Sequence, residues 1–168
     1  MNNPENNIQH TVTLSMVEIY NECVQDLLIK AGGRPKGGLQ VREHPKFGIF
    51  IEGMSKMSVS NYGDISKMID SGTANRTIGS TNMNATSSRA HTVTTLTFTQ
   101  RAINRETGLP INEKLSEINL VDLAGSERAG STGATGDRLK EGSNINKSLS
   151  VLGKCISVLA AKSSGNNS

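Results

Sequence analysis

The sequence has few of the features that mark secreted, membrane-spanning or metal-binding proteins. It contains two cysteines among 168 residues, no tryptophan and only 3% aromatic residues. Cys23 and Cys155 lie far apart without a C-x-x-C or paired-histidine spacing, so we expect two buried thiols and no zinc site or disulfide framework. No stretch approaches the roughly 20 apolar residues that span a bilayer, and residues 1–7 do not resemble a signal peptide. The sequence predicts a soluble intracellular protein.

Length and charge are those of one globular domain or part of one. Hydrophobic residues make up 35% of the chain, and the net charge of +3 gives only a weak hint of an acidic partner. The polar residues 1–10 predict a leader or a cut end, residues 11–161 the folded part, and residues 162–168 a flexible tail. We expect neither a nucleic-acid partner nor membrane insertion.

Residue patterns predict several strands. β-Branched and alternating apolar residues favour strands at 11–20 and 92–100, and 39–53 favours two short strands around a turn. Residues 115–125 predict a further strand, whose apolar second half indicates a central strand buried on both faces. Between the last two strands, the polar residues 101–114 predict a turn or hairpin tip.

Three helical segments are predicted. Residues 23–30 turn helical after the first strand, and a longer helix begins with Ser60 as its N-cap and ends at Gly72. Its buried stripe comprises Tyr62, Ile65, Met68 and Ile69. The third helix carries its apolar residues on one face, at Ile145, Leu149, Leu152, Ile156 and Leu159. A second stripe, Lys140, Lys147 and Lys154, suits a binding face or an ordinary solvated lysine face.

Two polar segments could contact a nucleotide. "DLAGSE" (122–127) follows a strand, where a carboxylate can hold water ligands of Mg²⁺ and a glycine allows a phosphate to approach the backbone. By itself this pattern also fits an ordinary Asx turn. "NATSSRAH" (84–91) precedes a strand and supplies two hydroxyls, an arginine and a histidine. Because one segment precedes its strand and the other follows one, the strands must run antiparallel for the segments to meet.

These segments resemble those of a known family. "NATSSRAH" resembles the first nucleotide switch of kinesin motor domains, commonly N-x-x-S-S-R-S-H, and "DLAGSE" the second. "YNECVQDLL" (20–28) and "GSNINKSLSVLGKCISVLA" (142–160) resemble the kinesin I-Y-N-E-x-x-x-D-L-L segment and relay helix. "VREHPKFGIFIEG", "TNMNATSSR" and "STGATGDRLKEG" further resemble the third kinesin family of vesicle and organelle transporters. The resemblance covers about residues 11–161 and implies an incomplete kinesin α/β fold, a central mixed sheet with helices on both faces.

The resemblance assigns nucleotide-site roles by position. Ser88 would bind Mg²⁺ directly and Asp122 through water, while Gly125 would offer its N–H to the γ-phosphate of ATP. Ser87 would position the attacking water, and Asn84 would order the loop near the nucleotide. These assignments give ATP and Mg²⁺ as the cofactors of the complete motor domain.

The same resemblance implies a switch salt bridge and a track surface. Arg89 and Glu127 would pair to close the two switches around the attacking water, which meets the general need to align a nucleophile. Basic side chains would contact the acidic surface of tubulin in microtubules, which places the protein in the cytoplasm on the cytoskeleton. The implied microtubule contacts are Arg42, His44, Lys46, Lys140, Lys147 and Lys154.

Two departures from the kinesin pattern affect the prediction. Ala90 replaces a serine of the first switch, for which we expect a modest effect. No G-x-x-x-x-G-K-[S/T] loop occurs, although such a loop and its lysine supply most of the grip on ATP. The chain is therefore expected to be the middle of a motor domain that lacks the P-loop and the C-terminal part.

The missing P-loop leaves two functional readings open. The chain is either a fragment of an ATP-driven microtubule motor, not expected to turn over ATP alone, or a catalytically inactive tubulin-binding fragment. A GTPase fits poorly, because proteins that read guanine need an N-K-x-D segment. The Asn-Lys pair at 146–147 is followed by Ser-Leu, so the aspartate is missing. We also expect apolar sheet edges to be exposed and copies of the chain to associate.

Overall fold

The computed structural model describes residues 7–46, 48–79, 89–125 and 137–163, leaving aside the side chains of 77–79 and 137–141. The strands are β1 (Ile8–Tyr20), β2 (Cys23–Asp26), β3 (Val41–His44), β4 (Gly48–Ile51), β5 (Met57–Val59), β6 (His91–Ile103) and β7 (Pro110–Asp122). The helices are α1 (Tyr62–Gly79) and α2 (Asp137–Ser163), with a 3-10 turn at Ala31–Gly33.

One sheet organises the described residues, in the order β2-β1-β6-β7, with β5 also pairing β1. Every pairing among the described strands is antiparallel, including that of the separate β3–β4 ribbon. The predicted strands at 11–20, 92–100 and 39–53 are confirmed, although β1 already begins at Ile8. The predicted hairpin between β6 and β7 is also confirmed, with a connection of residues 104–109.

The predicted helix at 23–30 is wrong, because the chain reverses at a tight turn. Asn21 and Glu22 both have positive φ, 49° and 64°, which suits the two-residue turn of a β-hairpin. Tyr20 pairs with Cys23, and β2 then runs back along β1 to Asp26. The pairing with β1 therefore overrides the helical pattern of the segment.

The core lies between the sheet and α1. Its buried members are Leu14, Met16, Leu27 and Val59, against which Ile65, Met68 and Ile69 of α1 pack. Tyr62 was predicted to be buried with this stripe but is 82% exposed, since it is the first residue of the helix. The predicted cap at Ser60 is also wrong: Asn61 Oδ1 accepts a hydrogen bond from Asp64 N–H at 3.0 Å.

Gly72 was predicted to end α1, but the helix continues through it to Gly79. A Cβ atom at Gly72 would overlap the Sδ atom of Met16, a side chain of the core. Gly72 therefore permits the close approach of α1 to β1 and does not act as a helix stop.

The two mid-helix glycines should respond in opposite directions to alanine. Gly72→Ala should lower the free energy of unfolding by about 1–3 kcal/mol, because overpacking outweighs the better helix propensity of alanine. Gly153 in α2 is the matched control, since a Cβ there meets no atom within 4 Å. Gly153→Ala should raise the free energy of unfolding by about 1 kcal/mol. Urea unfolding followed by circular dichroism measures both, and equal shifts would contradict the close approach.

β7 was predicted to be a central strand buried on both faces, and this is wrong. All its residues are exposed, including Leu115, Ile118, Leu120 and Val121, which are 52–57% exposed. The reason is that β7 lies at the edge of the sheet, where among the described strands it pairs with β6 alone, and neither described helix covers its faces. The predicted exposure of an apolar sheet edge is confirmed.

The two cysteines are free, and neither is fully buried. Cys23 is half-buried in β2, whereas Cys155 is exposed on α2, so the prediction of two buried thiols is wrong. Neither of the described helices is long and apolar enough to cross a bilayer.

Candidate functional site at the ends of β6 and β7

The antiparallel pairing of β6 and β7 brings the described ends of the two motif segments together, residues 89–91 and 122–125. Thr92 lies opposite Asp122, and Glu18 of β1 lies opposite Thr92. Because opposite residues share a face, Glu18, Thr92 and Asp122 form one row across three strands. The expectation that the two segments meet through antiparallel strands is confirmed.

An arginine in the last turn of α1 contacts this row. Arg76 Nε lies 3.0 Å from Glu18 Oε1, and Nη1 lies 3.5 Å from Asp122 Oδ2. Its Nη2 also donates to the carbonyl oxygen of the fully buried Ala90, at 3.2 Å. We call Glu18, Arg76 and Asp122 the Arg76 cluster. One guanidinium thereby connects α1, β1, the start of β6 and the end of β7.

The two carboxylates of the Arg76 cluster lie in different surroundings. The Glu18 side chain is 11% exposed and holds the shorter contact, whereas that of Asp122 is 74% exposed. Asp122 is therefore held more loosely and is open to solvent. Carboxylate oxygens in such a position suit Mg²⁺, which keeps several of its waters, so Asp122 fits the water-mediated role.

Thr92 adds a buried hydroxyl to the same row. The residue is 5% exposed, and its Oγ1 has no hydrogen-bond partner among the described residues. Among those residues, no three histidine, cysteine or acidic side chains converge into a metal-ligand cluster. The described side chains could thus contribute single ligands to Mg²⁺ but do not enclose it.

His91, the first residue of β6, lies between the end of β7 and α2. Its Nδ1 accepts a hydrogen bond from Ala124 N–H at 3.0 Å, and its Nε2 lies 2.8 Å from Ser148 Oγ. Ala124 is buried and Gly125 half-buried, so the backbone after Asp122 turns into the protein. The site is therefore in direct contact with α2.

A small pocket adjoins His91 on the side of α2. Its volume is about 20 Å³, enough for about one water molecule. Arg89 forms part of its wall together with Asn144, Ile145 and Ser148 of α2. Arg89 is thus brought to the α2 side of the site, whereas Asp122 lies with Arg76 on the α1 side.

Several predicted nucleotide residues cannot be placed. Asn84, Ser87, Ser88 and Glu127 lie outside the described residues. The salt bridge between Arg89 and Glu127 therefore stays a prediction, and so do the roles of Ser87 and Ser88.

The first group of predicted track residues lies on the β3–β4 ribbon. Arg42 is exposed but paired, with Nε 3.1 Å from Glu52 Oε2. His44 Nδ1 accepts a hydrogen bond from Lys46 N–H at 3.2 Å, which shapes the turn, and Lys46 itself is exposed. The ribbon faces solvent, but Glu43 and Glu52 balance the charges of Arg42 and Lys46, so Lys46 in its turn is the more available cation.

The second group lies on α2. Lys147 and Lys154 are exposed as predicted, and Lys140 lies on the helix with its side chain outside the description. The apolar stripe packs only at its beginning: Ile145 and Leu149 are half-buried, while the rest is exposed. The exposed members are Leu152, Ile156 and Leu159.

Comparison with known proteins agrees with this architecture. A protein-family model described as the kinesin motor domain matches residues 1–167. The chain is 54% identical over 161 residues to kinesin-like protein KIF1A of Rattus norvegicus, covering 96% of this chain and 9% of KIF1A. It is 51% identical over 162 residues to kinesin-like protein unc-104 of Caenorhabditis elegans, covering 96% of this chain and 10% of unc-104.

Solved kinesin structures also match the fold of this chain. KIF14 with ADP in complex with a microtubule matches with a TM-score of 0.84 and 42% identity, covering 96% of this chain and 46% of that one. A fast kinesin matches with a TM-score of 0.73 and 39% identity, over 96% of this chain and 42% of that one. The chain spans about a tenth of the curated relatives and less than half of these solved chains.

Proposed function

Because the chain belongs to the kinesin motor-domain family, as a partial motor domain of the KIF1 (kinesin-3) type, we propose that it forms the nucleotide-sensing and track-binding part of a microtubule motor. The pairing of Thr92 with Asp122 carries the proposal, since it sets side by side the described ends of the two segments that resemble kinesin switches. His91 adds a contact from this site to α2. The proposed nucleotide-sensing site and the proposed track-binding helix α2 thus lie side by side.

In this proposal the chain's own residues prepare the site for Mg²⁺ and ATP. Asp122 would hold Mg²⁺ through water, Ser88 would bind it directly, and Gly125 would donate its N–H to the γ-phosphate. When bound, Mg²⁺ neutralises charge on the phosphate oxygens. Arg76 contacts the row from the α1 side and leaves the Asp122 carboxylate open to solvent, where a ligand can reach it. Arg89 and Glu127 would close the switches, with Ser87 positioning the water and Asn84 ordering the loop.

The exposed lysines of α2, together with Arg42, His44 and Lys46 of the β3–β4 hairpin, would contact the acidic surface of tubulin. Charged surfaces of opposite sign speed association and set orientation, so such contacts suit repeated binding to a track. KIF14 is a microtubule-bound relative of known structure. The proposed site of action is accordingly the microtubule cytoskeleton of the cytoplasm.

Charge reversal on α2 tests the track surface. In co-pelleting with microtubules at low salt, Lys147→Glu with Lys154→Glu should weaken binding by about tenfold or more, because attraction becomes repulsion. The matched control is Lys56→Glu with Lys67→Glu, exposed lysines away from α2 whose reversal changes the net charge equally. Equal weakening by both pairs would contradict a specific α2 contact, leaving the lysines as a solvated face.

A catalytically inactive tubulin-binding fragment is the second candidate, favoured by the lack of a G-x-x-x-x-G-K-[S/T] loop in the sequence. An upstream reading frame that encodes a P-loop would favour the motor fragment over the inactive one, and ATP turnover with and without microtubules tests whether the chain is active by itself. The 168-residue chain alone should bind microtubules without turnover, and microtubule-stimulated turnover would show that it is a complete catalyst.

We also infer that copies of the chain associate through the exposed edge of β7. An exposed apolar edge strand can add a strand from a second copy. Sedimentation velocity should show a mass that rises with concentration, and Ile118→Lys should reduce this rise because a charge disfavours edge pairing. Val41→Lys, at a similarly exposed position on the β3–β4 ribbon, is the control. A concentration-independent monomer would contradict the inference.

A further inference from the structure

We propose that His91 is a positioning residue that links the loop after β7 to α2 through the two nitrogens of its imidazole ring. The proposal rests on the proposed function, in which that loop senses the nucleotide and α2 contacts the microtubule. His91 is 8% exposed and is the first residue of β6. We call Ala124, His91 and Ser148 the His91 link.

The geometry of the His91 link places one partner on each ring nitrogen. Ala124 N–H points to Nδ1 at 3.0 Å, and Ser148 Oγ lies 2.8 Å from Nε2. The two nitrogens lie on different sides of a rigid ring, so the partners cannot move independently without breaking a hydrogen bond. Packing alone would not impose such a constraint.

The arrangement of protons follows from the donors present. Ser148 Oγ donates its single hydrogen to the carbonyl oxygen of Ile145 at 2.8 Å, so it can only accept from His91. Nε2 must therefore carry a hydrogen. Ala124 N–H is a donor, so Nδ1 must be a bare acceptor. The link thus requires the neutral ring with its hydrogen on Nε2.

The His91 link contacts α2 in the part of the helix that packs against the rest of the protein. Ser148 lies in the half-buried first part of the helix, whereas the residues from Val151 onward are exposed. A second hydrogen bond, from Asn144 Nδ2 to Asn21 Oδ1 at 2.6 Å, joins the same part of α2 to the β1–β2 turn. The helix is therefore held near His91, and a small shift there would move its exposed part.

The proton arrangement can be tested on the free 168-residue chain without nucleotide or microtubules. Nitrogen-15 NMR of the His91 ring near neutral pH should show a hydrogen on Nε2 and none on Nδ1. Ser148→Ala should change the signals of these ring nitrogens. A ring protonated at Nδ1 under these conditions would overturn the link, because Ala124 N–H would then lose its acceptor.

Amide hydrogen exchange at Ala124 tests whether the link transmits a change. Ser148→Ala removes the partner on α2 and should speed exchange of Ala124 N–H by about fivefold or more, the lower range of coupling between sites. Ser148→Thr keeps the hydroxyl and should restore the slow rate. Ser150→Ala is the matched control, since Ser150 Oγ also donates to a carbonyl oxygen of its own helix, that of Asn146, but is exposed.

A double variant separates transmission from local loosening. In His91→Asn the side-chain oxygen can still accept from Ala124 N–H, but the amide is too short to reach Ser148. Adding Ser148→Ala to His91→Asn should therefore leave Ala124 exchange unchanged. Unchanged exchange in Ser148→Ala alone, or an equal increase in Ser150→Ala, would overturn the proposal even if His91→Asn failed to fold.

Binding to microtubules gives an independent readout. With microtubules added, Ala124 exchange should change in the unaltered chain and not in His91→Asn, although both co-pellet. A chain that does not co-pellet would refute the proposed function, while the tautomer and the exchange of the free chain would still decide the link. A change of the same size in both chains would overturn the link alone.

Discussion

Replacing Arg76 with alanine should lower the free energy of unfolding by about 3–5 kcal/mol, because it leaves a buried charge without its partner. The Glu18 carboxylate lies in a side chain only 11% exposed, and Arg76 Nε is 3.0 Å from it. The same substitution removes the donor to the Ala90 carbonyl and the contact to Asp122. Arg76→Lys should recover only part of the loss, since an ammonium group lacks the planar fork of donors.

An exposed ion pair of the same sheet is the control. Arg101 pairs with Glu113 between β6 and β7, but both side chains are about half exposed, at 51% and 45%. Solvent screens this pair, so Arg101→Ala should change the free energy of unfolding by less than about 1 kcal/mol. Urea titration of both variants measures the difference. If Arg76→Ala were no more destabilising than Arg101→Ala, Glu18 would have to be rehydrated when its partner is removed.

Asp26→Ala should also destabilise the chain by about 3–5 kcal/mol, for a different reason. Asp26 is fully buried, and its two oxygens accept from Leu28 N–H at 2.8 Å and Ser55 N–H at 2.7 Å. Hydrogen bonds to a charged group contribute about 1.5–3 kcal/mol each, and their loss leaves two backbone donors buried. Asp26 thereby fixes the end of β2 to the segment before β5.

Two further aspartate variants separate the effect of lost hydrogen bonds from the effect of a changed side-chain shape. Asp26→Asn keeps the shape but offers one accepting oxygen, so it should lose about half as much stability as alanine. Asp70→Ala, at an exposed position on α1, should stay within about 0.5 kcal/mol of the unaltered chain. Thermal and urea unfolding measure all three. A loss for Asp26→Ala no larger than that for Asp70→Ala would show that water reaches the two N–H groups.

Local sequence patterns were sufficient to predict much of the sheet. The β-branched runs predicted β1 and β6, and the polar stretch between β6 and β7 predicted their hairpin. The order of the two motif segments around these strands predicted that they run antiparallel, which the pairing of Thr92 with Asp122 confirms. These features depend on the period of side chains along a strand and on short connections, which a sequence displays directly.

Features that depend on distant partners were missed. Residues 23–26 had an acceptable helical pattern, but the positive φ of Asn21 and Glu22 returned them to β1. Arg76 was not singled out, because the predicted helix ended at Gly72 and its contact with Glu18 spans 58 residues of sequence. The exposure of β7 could not be derived from its apolar residues, because a strand is buried only where other elements cover its faces.

The irregularity at the far end of the β6–β7 hairpin bears on how the gene can tolerate insertions and deletions. The register shifts between Ala102 and Ile103, next to the connection, whereas Thr92 to Ala102 pair without interruption with β7. Residues added or lost in 104–109 can be absorbed beside this bulge. A single-residue deletion within the regular part of β7 would instead turn Asp122 to the opposite face, away from Arg76. Length variation should therefore be permitted at the tip and excluded from the strand.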